Sequence, residues 1–317
     1  MRGIAVAGNI LIDRINDIEK YPTSGELTKI LGIRAATGGC VPNVAIDLKR
    51  LCPELPVVAV GKVGRDGDGE LARRTLESEG VICSGFTECD ERTSFTEVMS
   101  EVGGQRTFFT YPGASDEFGL EDVDFDSLDV KMLHLGYYLL LKKVDAGDGE
   151  RILKAASERG IKTSIDLVSE NSDRYSDVLP SLKYTDNLII NELEAGKLTG
   201  IEPTLESLET IAKKLLLLGV RERVIIHERS LGIVVSERGV TTLASYSLPS
   251  GFIKGTTGAG DAFCAGALLA IHEEKSDLEI LEYATASALG ALSAADAVSG
   301  MRTLGELKEI GKSLSRT

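Results

Sequence analysis

The sequence predicts a three-layer α/β/α sandwich with a small β-sheet lid, and three observations predict it. Short apolar runs alternate with helical patterns along most of the chain. Two segments interrupt that alternation with strand patterns alone. A glycine-rich turn late in the chain leads straight into a helix of small residues.

Each element follows from its local pattern. Short apolar runs at Ile4–Ala7, Val57–Gly61, Met132–Leu135, Lys162–Asp166, Leu188–Ile190 and Val224–His227 predict buried strands. Helical periodicity predicts helices over Asn43–Leu51, Gly69–Glu79, Glu150–Arg159 and Leu205–Leu218. Strands alternating with helices give a mostly parallel sheet covered on both faces. The interruptions run from Leu11 to Arg34 and from Thr93 to Thr110. In the second, Phe95, Glu97 and Met99, then Arg106–Thr110 across Gly103–Gly104, read as a hairpin with a glycine turn. The expected division is an α/β core of residues 1–10, 35–92 and 111–317 and a β lid of residues 11–34 and 93–110.

Composition narrows the partners. A net charge of −14 argues against a general nucleic-acid binder, whose affinity rests on clustered Lys and Arg. It leaves phosphate ligands open, because local amides and magnesium overcome a global negative field. No apolar run approaches a membrane span. Asn9 and Asp13 interrupt the first apolar stretch, so a buried strand is expected there rather than a signal peptide. The cysteines (Cys40, Cys52, Cys83, Cys89 and Cys264) are odd in number and form no CxxC pair, which reads as reduced thiols in the cytoplasm. His134, His227 and His272 lie at no ligand spacing from a cysteine, so zinc is not expected. His134 and His227 end apolar runs and read as strand-end residues rather than catalysts.

The strongest chemical signal is Gly255-Thr256-Thr257-Gly258-Ala259-Gly260-Asp261-Ala262-Phe263, opening a helical stretch over Ala262–Ile271. Amides from Gly258 to Asp261 at a helix N-terminus make an anion site, where the helix dipole also favours negative charge. Glycine and alanine let a phosphate approach the backbone closely. A carboxylate at Asp261 is placed to take a proton from a hydroxyl nucleophile. The same residues suit an N-capping aspartate after a flexible loop, and the pattern alone leaves both readings open. No GxxxxGKS/T sequence occurs, so a nucleotide site here is not a Walker loop. Gly8-Asn9-Ile10-Leu11 follows the first strand without a GxGxxG opening a helix, which excludes a dinucleotide-binding dehydrogenase. Asp66, Asp68 and Glu70 imitate a calcium loop, but Leu71 stands where an EF-hand needs glycine.

Gly255–Asp261 resembles the C-terminal signature of the ribokinase-like, PfkB-type carbohydrate kinases, written D-T-x-G-A-G-D. Gly8-Asn9 through Asp13 is similar to that family's first strand and substrate aspartate. Gly38-Gly39-Cys40-Val41-Pro42-Asn43 resembles its GG-x-x-x-N sugar turn, and Gly61 through Gly69 its G-x-V-G-x-D-x-x-G segment. Asn191-Glu192-Leu193-Glu194 resembles its N-x-x-E motif. The resemblance spans the chain almost end to end, in the family's order. It implies an ATP-dependent kinase that phosphorylates a hydroxyl of a small sugar or sugar-like substrate. Asp13, Gly38, Gly39 and Asn43 would hold the sugar. Asp261 would be the base, with the amides of Gly258, Ala259 and Gly260 stabilising the transferring phosphoryl group. Asn191, Thr257, Gly258, Gly260 and Ser287 would meet the nucleotide, and Glu194 would organise Mg2+ through water. It also implies a homodimer formed through the lid. The expected partners are small molecules, with no nucleic acid and no membrane.

Some residues depart from the family pattern. Gly255 replaces an aspartate tied to a monovalent-cation site, which leaves activation by such a cation open. His227-Glu228-Arg229-Ser230-Leu231-Gly232 keeps only the last glycine of a T-x-G-x-x-G turn, so ribose and adenine would be held differently and the phosphate donor is open. A late small-residue helix is expected over Ala284–Ala297 as an adenine wall, with Ser287 where the family often has asparagine. Gly136-Tyr137-Tyr138 stands where ribokinases proper have an acidic residue. Arginines near Tyr111 and Glu170, as in ketodeoxygluconate kinases, are absent, which argues against a sugar acid. Arg92, Arg106 and Lys142 are the candidates for a phosphate on the substrate, Arg106 otherwise being a solvated lid residue; a neutral, unphosphorylated sugar is preferred. The alternatives are a nucleoside kinase walled by Tyr137, Tyr138 and Phe109, or a non-catalytic sugar- or nucleotide-binding relative.

Overall fold

Successive side chains along a strand point to opposite faces of the sheet, and where both faces are covered the strand becomes a continuous apolar run. The first strand, β1 (Gly3–Ala7), shows the consequence: Ile4 and Val6 enter one core, Ala5 and Ala7 the other, and all four are fully buried. The computed structural model describes residues 2–101 and 105–316. After β1 come β2 (Leu11–Ile18), β3 (Ile30–Gly38), α1 (Cys40–Leu51), β4 (Val57–Gly64), α2 (Gly67–Ser78) and β5 (Ile82–Cys89). Next are β6 (Ser94–Glu101), β7 (Arg106–Tyr111), β8 (Val130–Tyr138), α3 (Gly149–Glu158) and β9 (Lys162–Leu167). Then follow β10 (Asn187–Asn191), α4 (Glu192–Thr199), α5 (Leu208–Leu217), β11 (Arg223–His227), β12 (Leu231–Ser236) and β13 (Gly239–Ala244). The last helices are α6 (Ala259–His272), α7 (Asp277–Leu292) and α8 (Leu304–Lys312).

The large sheet has the order β13-β12-β11-β10-β9-β8-β1-β4-β5. It is parallel from β11 to β5, with β12 and β13 added antiparallel at one edge. α1, α2, α6, α7 and α8 cover one face, and α3, α4 and α5 the other. This is the three-layer sandwich expected. The strand order reverses between β1 and β8, so the loops at their C-terminal ends diverge and leave a crevice, the usual ligand position in an open α/β sheet.

A second sheet has the order β3-β2-β6-β7, with β2 antiparallel to β3 and parallel to β6. β3 continues past Arg34 to Gly38, because pairing with β2 persists to the register Leu11↔Gly38. The glycine turn at Gly103–Gly104 lies outside the described residues. Other boundaries also move. The helix expected over Ala284–Ala297 is α7, ending at Leu292 and beginning at Asp277. There Ser276 accepts from the Glu279 amide while the Glu279 carboxylate returns to the Ser276 amide. β5, α4, β12 and β13 are elements that the apolar runs did not announce.

Asp66 joins the two sheets. Its carboxylate accepts from the amides of Gly69 and Thr93, both at 2.9 Å, and from the Thr93 hydroxyl at 2.6 Å. It thereby caps α2 and pins the chain where it enters β6. Burial opposes the charge, but these hydrogen bonds prevail and hold Asp66 below the usual carboxylate range. Asp66→Ala should cost about 1–2 kcal/mol, read as a lower urea midpoint with unchanged slope. The difference from wild type should shrink below about pH 4, since a depressed carboxylate stabilises above its unfolded pKa and loses that effect as pH falls through its folded one.

Candidate active site

A cavity of about 190 Å³ opens at the C-terminal ends of the strands beside the β1/β8 reversal. Tyr137 from β8, Asp166 from β9, Asn191 from β10, His227 from β11, Glu194 from α4 and Asp261 from α6 line it. Its wall is a helix N-terminus. Gly258 caps α6 at φ +77, and a Cβ there would stand 2.6 Å from that of Ala297. Glycine is therefore required both by backbone conformation and by space.

Asp261 lies in the first turn of α6 and is only 5% exposed. Asn43 Nδ2 donates to its Oδ2 at 2.8 Å and the Tyr137 hydroxyl to the same oxygen at 3.0 Å. Burial pushes the carboxyl up to about 7, the charge of Asp166 adds to the rise, and the two donors pull it back. The result is a carboxyl poised near neutral pH with its other oxygen clear of both donors.

The GG turn places Asn43. Asn9 accepts the first amides of α1, Cys40 N–H on its side-chain oxygen at 2.9 Å and Val41 N–H on its carbonyl at 3.2 Å. To fit against it, Gly39 adopts φ +89, and a Cβ there would come within 2.6 Å of Asn9 Oδ1. Gly38 packs directly on the Asp13 carboxylate. Asp13 is half-buried, no donor meets it among the described residues, and burial raises it to about 6. Asp13, Gly38, Gly39, Asn43 and Asp261 thus form one contiguous chain of contacts. One turn beyond Asn43, Asp47 is buried with both oxygens unpaired, and burial followed by the charge of Asp261 pushes it well above the carboxylate range.

On the opposite wall Asn191 caps α4, accepting from the Glu194 amide at 2.9 Å while Glu194 returns to the Asn191 amide at 3.1 Å. Ser169 Oγ donates to the other Glu194 oxygen at 2.8 Å. Burial raises Glu194 to about 7 despite these bonds.

From sequence, Asp166 has no role, and Tyr137 only that of a wall in the nucleoside-kinase alternative. Asp166 receives the Tyr137 amide at 2.5 Å, and Tyr137 adopts φ +57, a strained conformation for a non-glycine residue. Both ends of Tyr137 are engaged, the amide by Asp166 and the hydroxyl by Asp261, and this holds the strain. The available signal was position alone, at the C-terminal ends of parallel strands. Other expected residues fall differently. Ala259 turns its amide to the Thr256 carbonyl at 3.3 Å, while Gly258 and Gly260 line the cavity. Thr257 is exposed on the loop. Ser287 is fully buried, packs on Gly266 and donates to the Tyr283 carbonyl at 2.8 Å, which places it in the α6–α7 contact and outside the cavity lining.

Residues 1–303 match the pfkB family carbohydrate kinases. The chain belongs to that family. It is similar to the ribokinase of Arabidopsis thaliana, 27% identical over 289 residues that cover 90% of this chain and 74% of that protein. It is also similar to the ATP-dependent ribose-1-phosphate kinase of Halopiger xanaduensis, 28% identical over 293 residues that cover 91% of this chain and 90% of that one. Among solved structures, its fold resembles Arabidopsis thaliana ribokinase complexed with ribose and ATP, with a TM-score of 0.81 at 24% identity over 98% of this chain and 99% of that one.

In this carbohydrate kinase the departures at Gly255 and His227 have local settings. A Cβ at Gly255 would stand 3.0 Å from the carbonyl oxygens of both Ala294 and Ala295, so the glycine admits that close approach. His227 lines the cavity against Phe263, and burial lowers it to about 4, keeping it neutral.

A buried carboxyl raised to about 7 costs stability when it ionises. Its favourable contribution is complete below the ordinary value of 3.8 and declines as pH rises through about 7. Asp261→Asn should therefore flatten that decline and leave the variant more stable than wild type at about pH 8 by about 0.5–2 kcal/mol, read by urea unfolding at about pH 5 and about pH 8.

Proposed function

We propose that the chain is an ATP-dependent kinase acting on a hydroxyl of a neutral, unphosphorylated sugar or sugar-like substrate, with Asp261 as general base. The observation that carries this reading is a buried carboxyl near pKa 7 at a glycine-capped helix N-terminus, the end where a phosphate is also favoured. The substrate hydroxyl gives its proton to the free Asp261 oxygen as its own oxygen attacks the γ-phosphorus, and ADP leaves. The amides of Gly258 and Gly260 face the transferring group, and Asn43 and Tyr137 hold the base in one orientation. Phosphoryl transfer asks for little beyond such positioning and electrostatic stabilisation.

The oxygen donors of Asn191 and Glu194 suit Mg2+, and a nearby divalent cation would favour the ionised form of Glu194. Bound through water at Glu194, Mg2+ would supply neutralisation of phosphate charge. Asp13 supports the neutral substrate. Its unanswered carboxylate accepts from sugar hydroxyls and repels an anion. The names of the similar proteins cover both a free sugar and a sugar phosphate, and Asp13 favours the first.

The second sheet is assigned as a lid over the crevice, comprising residues 11–34 and 93–110. Ile33 and Phe109 are exposed on one face of it, an apolar surface that supports a homodimer joined lid to lid. Among the described residues no helix is long and apolar enough to cross a membrane. The free cysteines support a reducing, cytoplasmic setting.

An ADP-release assay with MgATP over neutral sugars, phosphosugars, sugar acids and nucleosides should show turnover on a neutral sugar, reduced about 10²–10⁴-fold in Asp261→Asn. Retention of most activity in that variant would remove the base assignment. The acid limb of kcat/KM should fall near the Asp261 value of about 7. Tyr137→Phe should move it to higher pH, because a donor to the ionised form is lost. Ile33→Glu should convert a dimeric mass in light scattering to a monomeric one; a wild-type monomer would dispose of the lid dimer.

A further inference from the structure

Four side chains separated along the chain meet on the floor of the cavity: Cys40 from α1, His134 from β8, Asp166 from β9 and Cys264 from α6. One donor atom each from Cys40, His134 and Asp166 lie within 4.8 Å of one another. His134 Nε2 is 3.4 Å from Asp166 Oδ2 and 3.5 Å from Cys264 Sγ. Bonds of about 2.0–2.3 Å to a tetrahedral zinc ion place ligand atoms about 3.3–3.8 Å apart, so these two contacts, a hydrogen bond and an ion pair here, already have the spacing a coordination shell needs.

The surroundings hold these groups in place. His134 is fully buried, and its Nδ1 lies 3.0 Å from Ser164 Oγ, which orients the ring and leaves Nε2 toward the cluster. The Tyr137 amide holds Asp166 by its other oxygen. Gly136 leaves room for Cys40, since a Cβ there would collide with Cys40 Sγ. All four residues are buried, yet Asp166 and Cys264 line the cavity and open a route to the cluster.

We propose that Cys40, His134 and Asp166 form a buried site for a divalent cation of the zinc class, with Cys264 completing the tetrahedron by a turn of its side chain. Thiolate and imidazole ligands select zinc, whereas the oxygen donors at Asn191 and Glu194 suit magnesium, so the two sites differ in chemistry. Binding replaces the protons of both thiols by the ion and releases two protons to solvent. The ion lies close to the reacting groups, because Tyr137 holds Asp166 through its amide and Asp261 through its hydroxyl.

The test is titration of metal-free, reduced protein with Co2+, whose tetrahedral thiolate complexes absorb in the near ultraviolet and the red. One Co2+ per chain should bind with both bands and be displaced by Zn2+ but not by excess Mg2+. Cys40→Ser should lose at least tenfold in affinity, and Cys264→Ser should do the same while keeping a weaker charge-transfer band from Cys40. Cys52→Ser, outside the cluster, should match wild type. Circular dichroism of the metal-free variants establishes that each is folded, and either cluster variant that folds suffices. Absence of the bands in wild type, or bands unchanged in a folded cluster variant, would overturn the site.

Discussion

Everything around the cavity depends on keeping one carboxylate out of water. Asp261 sits at the start of α6 where solvent does not compensate its charge, so burial and then the charge of Asp166 raise it and its two donors draw it back. Each donor arrives through a separate constraint. Asn43 reaches it because Asn9 anchors α1 and Gly39 yields the backbone needed for that anchor. Tyr137 reaches it because β8 ends in a left-handed residue whose amide is held by Asp166. The ends of β1 and β8 border the crevice where strand order reverses, so the topology of the sheet and the environment of Asp261 are one problem.

The same cavity gathers several carboxyls at an energetic cost. Asp261 and Glu194 are both raised to about 7 by burial, and Asp166 adds negative charge between them. A fold under selection for stability alone would remove such a cluster. Such a cluster is the pattern expected of a site that uses charge during a reaction. Of the two proposed cation sites, the one built on oxygen donors would offset part of that charge, whereas an ion that displaces two thiol protons would leave the net charge unchanged.

Legibility in the sequence followed locality. The carbohydrate-kinase family, the three-layer fold and the second sheet were readable because their signals are contiguous: apolar runs for the strands, and the Gly255–Asp261 turn for the helix N-terminus. Boundaries set by pairing were less visible, as at β3, whose end is decided by its partner β2 rather than by its own residues. Ser287 was ambiguous because a small residue on a helix face serves close packing, as it does here, as readily as ligand contact. Asp166 carried no motif and Tyr137 read only as an aromatic wall, since their contacts with each other and with Asp261 arise only when parallel strands align their C-terminal ends. Histidine–cysteine spacing could not show the proposed cation cluster for the same reason: His134 and Cys264 are far apart in sequence and 3.5 Å apart across the sheet–helix interface.

The most direct measurement is the titration of the carboxyl groups themselves, by carbon-13 NMR of aspartate-labelled protein in the absence of substrate. Besides Asp13 at about 6 and Asp47 well above the ordinary range, an aspartate carboxyl should titrate at about 7, and that resonance should be absent from Asp261→Asn. If every aspartate titrates within the ordinary range near 4, or the signal near 7 survives in that variant, the buried-base account is wrong.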